Sequence, residues 1–478
     1  MIEDLLREFE NWKLEAKLED SERYFYEIDE VEAIRRGNKS YVIGRKGTGK
    51  TAIGERFLTH RGNTPYFSAK VSFKNFPFNQ LYANEDKIYT RPNQFITVWK
   101  YIVYMAVCRL MRDNQRINYD ARAYLQKLIP GDSAHNIARL IPRWVGKDFE
   151  VKIFGSGAKI GIDKQAGSSG EDWTSKVDIL ERFILSEADE STYFVLFDEL
   201  DEDYKDVIDK YQSHEYIDLI TSLFKAVQDI RSVFRSSKAK VLPVVFLRDD
   251  IYDLLQDSDK NKWNDLKVEL AWDEKKIQNL LAFRISRAID PAGHSRSFGE
   301  SWEAAFAPGG VPVGHKQLQR MPVFQYIARS TLLRPRDFVR YIQVAAEEQM
   351  KTRPARRIQP DTIRVTDKAF SNYLRNEFVD EIHAIIPDIN EVLQIFSQLR
   401  QQVFTKSAFE TAFKAKVTEG KLISKDQDFV LRILFHFSVI GNVGNKVQFY
   451  RYLNKEATFN FREQIAVHRG LFKSLQII

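Results

Sequence analysis

An α/β architecture is predicted for this chain: a parallel sheet with helices on both faces, followed by a helical lid and a C-terminal winged-helix-like domain. Three observations predict it. The apolar run Tyr41-Val42-Ile43 leads into a glycine-rich loop, Gly44-Arg45-Lys46-Gly47-Thr48-Gly49-Lys50-Thr51, and then into Ala52, Ile53 and Phe57 at helical spacing. A second apolar run, Tyr193-Phe194-Val195-Leu196-Phe197, ends in Asp198-Glu199-Leu200-Asp201. From Asp361 onward the pattern turns helical, and it closes on two short alternating segments.

The first pattern reads as strand, phosphate loop and helix, the opening unit of a P-loop NTPase sheet. A polyphosphate must sit against a row of backbone N–H groups, and glycine lets the chain curl tightly enough to aim them inward. Residues Gly44 to Ala52 are therefore the expected cradle. Lys50 reaches the β- and γ-phosphates, Thr51 offers its hydroxyl to Mg²⁺, and the helix that starts here adds the positive end of its dipole. The second pattern is a central parallel strand, buried on both faces and ending in acids where the ligand crevice of an open α/β sheet lies. Asp198 is expected to hold the Mg²⁺ shell and Glu199 to orient and polarise the attacking water. Asp201, Glu202 and Asp203 extend the acidic cluster as loop residues.

At 478 residues the chain exceeds one ordinary domain, and two or three are expected. Its 72 Lys and Arg against 66 Asp and Glu leave a net charge of +6, compatible with nucleic acid without arguing for it. One cysteine, Cys108, excludes a disulfide framework, and its apolar helical setting makes it a small buried hydrophobe. No signal-peptide pattern and no uncharged apolar run of spanning length occurs, so a cytoplasmic protein without membrane association is expected.

In order, residues 1–289 read as the ATPase core, beginning with a helical segment that carries Leu5, Leu6, Phe9 and Trp12. Tyr24 and Phe25 follow, placed where one of them can stack on adenine, though core aromatics are the better reading. A second strand is expected over Tyr66–Val71 and helices over Phe95–Met111 and Asp120–Ile129. Two alternating segments, Phe149–Phe154 and Lys159–Ile162, flank Gly155-Ser156-Gly157 and read as an inserted β-hairpin. A helix over about Tyr216–Val233 precedes a third apolar strand, Val241–Leu247, which ends in Arg248-Asp249-Asp250. From that tip Arg248 can reach the γ-phosphate as a sensor, or pair with Asp249, Asp250 or the strand-end acids. Lys267–Leu270 is a fifth strand, and Arg284 and Arg287 on the next helix are positional candidates for completing a neighbouring subunit's site.

Asp290–Lys316 is rich in Gly, Pro, Ser and Ala and reads as a long loop within a lid spanning 290–358. Leu333-Arg334-Pro335-Arg336 opens the lid's long helix, with Pro335 in its first turn. Residues 359–478 form the last domain, with helices over Ala369–Ile382, Ile389–Gln402, Thr405–Val417 and Ser424–Ile440. Two short strands are expected around Val447–Tyr450 and Ala457–Phe461, then a final helix through Ile465 and Leu475. Helices followed by a two-strand wing suit DNA reading. They equally suit protein docking, because the helix in the recognition position is mostly apolar: Phe429, Val430, Ile433, Leu434 and Phe437.

With these motifs in hand, the chain resembles P-loop ATPases of the AAA+ and STAND group, in particular origin-initiator-like and antiphage-defence bacterial ATPases with a C-terminal winged helix. The resemblance implies ATP and Mg²⁺ as ligands, with Lys50 and Thr51 as the Walker A pair and Asp198 and Glu199 as the Walker B pair. It further implies Arg248 at the sensor-1 position and Arg336 or Arg334 at sensor 2. An arginine at sensor 1 departs from the asparagine common in AAA+ proteins and is nearer to STAND usage. The implied activity is that of an oligomeric ATPase switch or motor acting with a protein effector. The rival from another class is a nucleotide-stabilised DNA-binding or scaffold protein.

Overall fold

The computed structural model of the chain describes residues 3–59, 66–74, 76, 78–84, 89–91, 93–129, 137–141, 173–201, 210–314, 317–352, 356–423, 426–445 and 447–477. The hairpin expected over 149–162 and the acids Glu202 and Asp203 lie outside the described residues. Two compact units divide the chain. One comprises Glu27–Lys46 and Lys50–Leu270, and the other Met1–Tyr26, Gly47–Gly49 and Ala271–Ile478. The N-terminal helical segment and residues 271–289, grouped by sequence with the sheet, thus belong to the second unit.

The first unit is built on five parallel strands: β1 (Tyr41–Ile43), β2 (Tyr66–Ser72), β3 (Thr192–Asp198), β4 (Lys240–Leu247) and β5 (Lys267–Glu269). Their spatial order is β2-β3-β4-β1-β5. Residues of β1, β3 and β4 are buried almost throughout, as central strands covered on both faces require. Phe194 and Phe197 of β3 point to opposite faces because strand side chains alternate. Phe194 meets Phe57 of the Lys50–Thr59 helix, with ring centroids 4.9 Å apart, and Phe197 meets Trp99 of the Ile96–Asp113 helix at 5.6 Å. Burying one such ring contributes about 1.5–3 kcal/mol. Helices therefore clamp both faces of the sheet, and the register aligns Ile43 with Leu247 and Phe197 with Val245. This alignment brings the C-terminal ends of β1, β3 and β4 to one edge.

The second unit begins with the helix Glu3–Asn11, whose buried Leu5, Leu6 and Phe9, together with Trp12, pack against the long helix Pro335–Thr352. Gln343 fixes this contact by donating to the carbonyls of Glu10 (3.1 Å) and Trp12 (3.0 Å). The segment expected as a long loop is more ordered than its composition predicts. It contains the helix Phe298–Ala305, started by a Ser297/Glu300 capping box, and the strand β6 (Gly310–Val313), which pairs antiparallel with β7 (Gln319–Pro322). Gly310 has no room for a side chain, since a Cβ there would lie 2.8 Å from the Met321 carbonyl oxygen.

The C-terminal region runs helix Ile389–Leu399, strand β8 (Val403–Phe404), helix Lys406–Thr418, helix Gln427–His436, then β9 (Ile440–Gly444), β10 (Val447–Phe449) and β11 (Gln464–Val467). The strands form an antiparallel sheet in the order β10-β9-β11-β8. Three expectations change here. The third helix stops at His436 instead of Ile440, because Ser438 adopts a left-handed backbone (φ 62°) and Ile440 opens β9. The strand expected over 457–461 lies at 464–467, where it bonds to β9 and β8 on its two sides. The final helix is reduced to the single 3₁₀ turn Arg469–Leu471, since Ile465 and Val467 belong to β11.

Candidate functional site

The glycine-rich loop leaves β1 with the Gly44 N–H bonded to the Leu247 carbonyl at the end of β4 (3.2 Å), which ties the loop's start to the neighbouring strand. Gly47 and Gly49 have φ of 82° and 102°, the left-handed region that only glycine enters cheaply, and this bends the loop into the head of the Lys50–Thr59 helix. Lys50 is folded back over the loop, where its Nζ donates to the carbonyls of Gly44 (2.6 Å) and Arg45 (3.0 Å). Burial holds its pKa below the ordinary lysine value, against the pull of the Asp201, Asp249 and Asp198 carboxylates. Such a lysine is short of negative partners, and phosphate oxygens would supply them.

At the end of β3, Asp198 is buried, and its Oδ1 accepts the Glu199 N–H at 3.0 Å. Glu199 has a left-handed backbone, with φ of 59°. An acidic side chain held in this sparsely populated region at a strand tip is the kind of local strain that collects at functional sites. Its Oε2 accepts a hydrogen bond from the Ser72 hydroxyl of β2, whose Cα partner in the sheet is Asp198.

Arg248, at the tip of β4, forks onto Asp250, with Nε 3.0 Å from Oδ1 and Nη2 2.6 Å from Oδ2. Its Nη1 reaches Asp201 at 3.4 Å. The pairing weighed in the sequence is therefore present, and through Asp201 it links the β4 tip to the β3 end. Thr51 and Asp198 each carry oxygen donors, the hard kind that suits Mg²⁺.

Arg334 and Arg336, at the start of the Pro335–Thr352 helix, differ in their ion partners. Arg334 is buried to 1 % exposure and bonded to Asp337 through Nε and Nη2 (3.1 and 2.9 Å), while its Nη1 meets Glu381 at 3.0 Å. Burial opposes its charge, but the two carboxylates outweigh that and hold its pKa above the ordinary arginine value. Arg336 is half-buried, 3.5 Å from Glu377, and its own N–H lies 3.4 Å from the Gly47 carbonyl. A side chain on Gly47 would meet the Arg336 Cβ at 3.2 Å. Both arginines lie against Gly47 of the glycine-rich loop, the Arg334 Cδ within 3.6 Å of such a side chain, but the guanidinium of Arg334 is held by Asp337 and Glu381.

Arg284 is buried beneath the N-terminal segment, 2.5 Å from Glu19 and stacked on Trp12 and Tyr24. Arg287 donates to the carbonyls of Pro291 (3.0 Å) and Gly293 (2.6 Å). Both arginines are thus engaged within the chain. Tyr24 lies in this same core, as expected. Cys108 is fully buried, which pushes its thiol up to about 12 and leaves it without nucleophilic character.

Sequence reasoning passed over the inner face of β2. Ser68, Lys70 and Ser72 alternate along that strand and so share one face. Ser68 bonds to the Phe57 carbonyl (2.8 Å) and Ser72 to Glu199. Lys70 bonds to Glu55 of the Lys50–Thr59 helix at 2.8 Å and lies 2.9 Å from Asp198 Oδ2. Burial works to lower the Lys70 pKa, but Asp198 and Glu55 outweigh it and hold the group above the ordinary lysine value. The available signal was a serine-lysine-serine alternation in a strand next to the acidic one.

Residues 275–379 match the family model of the FunZ-associated C-terminal helical domain, a span that includes Arg334 and Arg336. No curated protein matches the chain. Among solved structures, the Cdc6p protein of Pyrobaculum aerophilum is 12 % identical, with 93 % of this chain and 89 % of that one covered and a TM-score of 0.32. The Aeropyrum pernix ORC1 protein, solved in complex with DNA, is 11 % identical over 94 % and 90 % of the two chains, with a TM-score of 0.38. Drosophila ORC bound to DNA is 12 % identical over 94 % and 84 %, with a TM-score of 0.29. Among the described residues, no helix is long and apolar enough to cross a membrane.

Proposed function

We propose that the chain is an ATP-binding and ATP-hydrolysing switch of the AAA+/STAND kind, which assembles with copies of itself when ATP is bound and acts through a protein effector. The setting implied by its resemblance is bacterial antiphage defence. One observation carries the reading: the phosphate loop, the Asp198-Glu199 pair and Arg248 meet at the C-terminal ends of three adjacent parallel strands, β1, β3 and β4. Ligands of open α/β sheets bind at such an edge.

In this reading Lys50 exchanges its loop carbonyls for β- and γ-phosphate oxygens, and the loop N–H groups hold the rest of the polyphosphate. Thr51 and Asp198 would hold Mg²⁺, which neutralises phosphate charge when bound. Glu199 orients a water toward the γ-phosphorus and takes its proton as the new P–O bond forms. The bond to the β–γ bridging oxygen breaks, leaving ADP and phosphate. Arg248 senses the γ-phosphate from the β4 tip, and Arg336 does so from the lid helix. By function we assign residues 1–289 to an ATPase core, 290–358 to a lid and 359–478 to a winged-helix domain, a division that differs from the packing units in which 1–26 and 271–289 join the second unit.

The test is the mass distribution of Glu199→Gln protein with and without Mg-ATP. Assembly on ATP is expected, with turnover abolished, while Lys50→Ala loses ATP binding. Unaltered turnover in both variants refutes the site.

A second reading, DNA binding through the C-terminal domain, draws on its helix-strand-helix-helix-strand connectivity. Against it, the helix in the recognition position starts with Asp426 and Asp428, and Asp428 is paired to Lys406 at 2.9 Å. A monomer that binds duplex DNA equally well without ATP, with a steep salt dependence, would favour this reading.

A further inference from the structure

Lys70 is a lysine at 5 % exposure, set between two carboxylates that belong to different elements of the proposed nucleotide site. Asp198 ends β3, and Glu55 lies one helical turn beyond Thr51, on the same face of the phosphate-loop helix. Lys70 Nζ is 2.9 Å from the one and 2.8 Å from the other. A buried cation is retained only where fixed negative charge compensates its lost hydration, and here one ammonium serves two acids. The cluster carries a net charge of −1. A divalent cation approaching Asp198 therefore meets a fixed positive charge already in contact with that carboxylate.

We propose that Lys70 is a positioning residue of the nucleotide site, an internal counter-ion that occupies Asp198 and keeps divalent metal out until the phosphates of ATP bring in additional negative charge. The inference rests on the assignment of Thr51 and Asp198 to Mg²⁺ made above. Its physical content is a competition between two cations for one carboxylate. Without nucleotide, the ammonium is covalently tethered and needs no recruitment, so the metal loses. With nucleotide, the triphosphate adds several negative charges that the ammonium cannot match, and the metal enters with its phosphate ligands. Glu55 assists by giving Lys70 a second partner toward which it can shift once Asp198 is taken.

The test is Mn²⁺ binding to the nucleotide-free protein by electron paramagnetic resonance, with the Mg²⁺ requirement of ATP binding measured in parallel. Wild-type protein is expected to take up Mn²⁺ weakly. Lys70→Met leaves two uncompensated carboxylates and is expected to bind Mn²⁺ about tenfold or more tightly, since one unit of charge at such range is worth at least that factor even when well screened. Adding Asp198→Asn should remove the gain, and Lys70→Arg, which keeps the charge, should stay within about twofold of wild type.

Glu55→Gln works in the opposite direction. It makes the cluster neutral, and the Mg²⁺ concentration for half-maximal ATP binding is expected to rise several-fold. A folded Lys70→Met protein whose Mn²⁺ affinity is unchanged overturns the proposal. Should Lys70→Met not fold, an unchanged Mg²⁺ requirement in Glu55→Gln overturns it instead. Wild-type protein that fails to bind Mg-ATP refutes the function proposed above, whereas the Mn²⁺ comparison in the nucleotide-free state still reads the role of Lys70.

Discussion

Two ion clusters in this molecule each set one cation between an aspartate and a glutamate, in different settings. At the edge of the parallel sheet Lys70 joins Asp198 and Glu55, and at the head of the Pro335–Thr352 helix Arg334 joins Asp337 and Glu381. In the Arg334 cluster all three side chains are 5 % exposed or less, while at the sheet edge Glu55 keeps 20 % of its side chain in solvent. The planar guanidinium of Arg334 uses several donors in one fixed geometry, whereas the ammonium of Lys70 is a compact charge that can be shared or moved. A closed cluster of the first type holds a fold in place. An open cluster of the second type, placed on a carboxylate that a ligand also wants, can be exchanged.

The contrast can be broken by mutation. The largest effect is expected from Arg334→Ala, which strands Asp337 and Glu381 without a counter-charge. A loss of about 3–5 kcal/mol should appear in urea unfolding, because breaking a buried pair from one side leaves the other charge uncompensated. Next comes Lys70→Met, where partial hydration of Glu55 limits the loss to about 1–3 kcal/mol in the same assay. If it costs as much as Arg334→Ala, the two clusters are equivalent and the distinction fails.

Ser72→Ala should cost about 1 kcal/mol or less, as a single neutral hydroxyl donor does. Its main effect should be on ATP turnover, which changes several-fold as Glu199 loses the bond that holds it toward β2. The smallest stability effect belongs to Arg336→Ala, within about 0.5 kcal/mol, since this side chain is half-buried and weakly paired. Arg336→Ala protein should melt normally yet show no ATP-dependent change in mass. A normal assembly response would remove Arg336 from the sensor role.

Much of the sheet was legible because its signals are local. The run 41–57 contains a strand, its loop and its helix in uninterrupted order, and the apolar run before Asp198 can only be buried on both faces. Lys70 was not legible, because its partner Glu55 lies 15 residues away on a helix and the partner of Ser72 lies 127 residues away. Arg334 and Arg336 look alike in sequence, and what separates them is Glu381, 47 residues beyond Arg334. Between 290 and 322, glycine and proline content masked a short helix whose start, Ser297 with Glu300, was nevertheless written in the chain. At 464–467 the apolar run is too short for its period to distinguish strand from helix, and pairing with β8 and β9 decides the matter.

The pairing of the first helix with Pro335–Thr352 also sets a schedule for the growing chain. Phe9 and Trp12 leave the ribosome early, yet the helix that buries them follows more than 300 residues later. At translation rates of about 5–20 residues per second, these aromatics wait for roughly 20–60 s, during which the sheet's strands are made and can fold. The contact between the first helix and Pro335–Thr352 thus closes only after all five strands of the parallel sheet have been made.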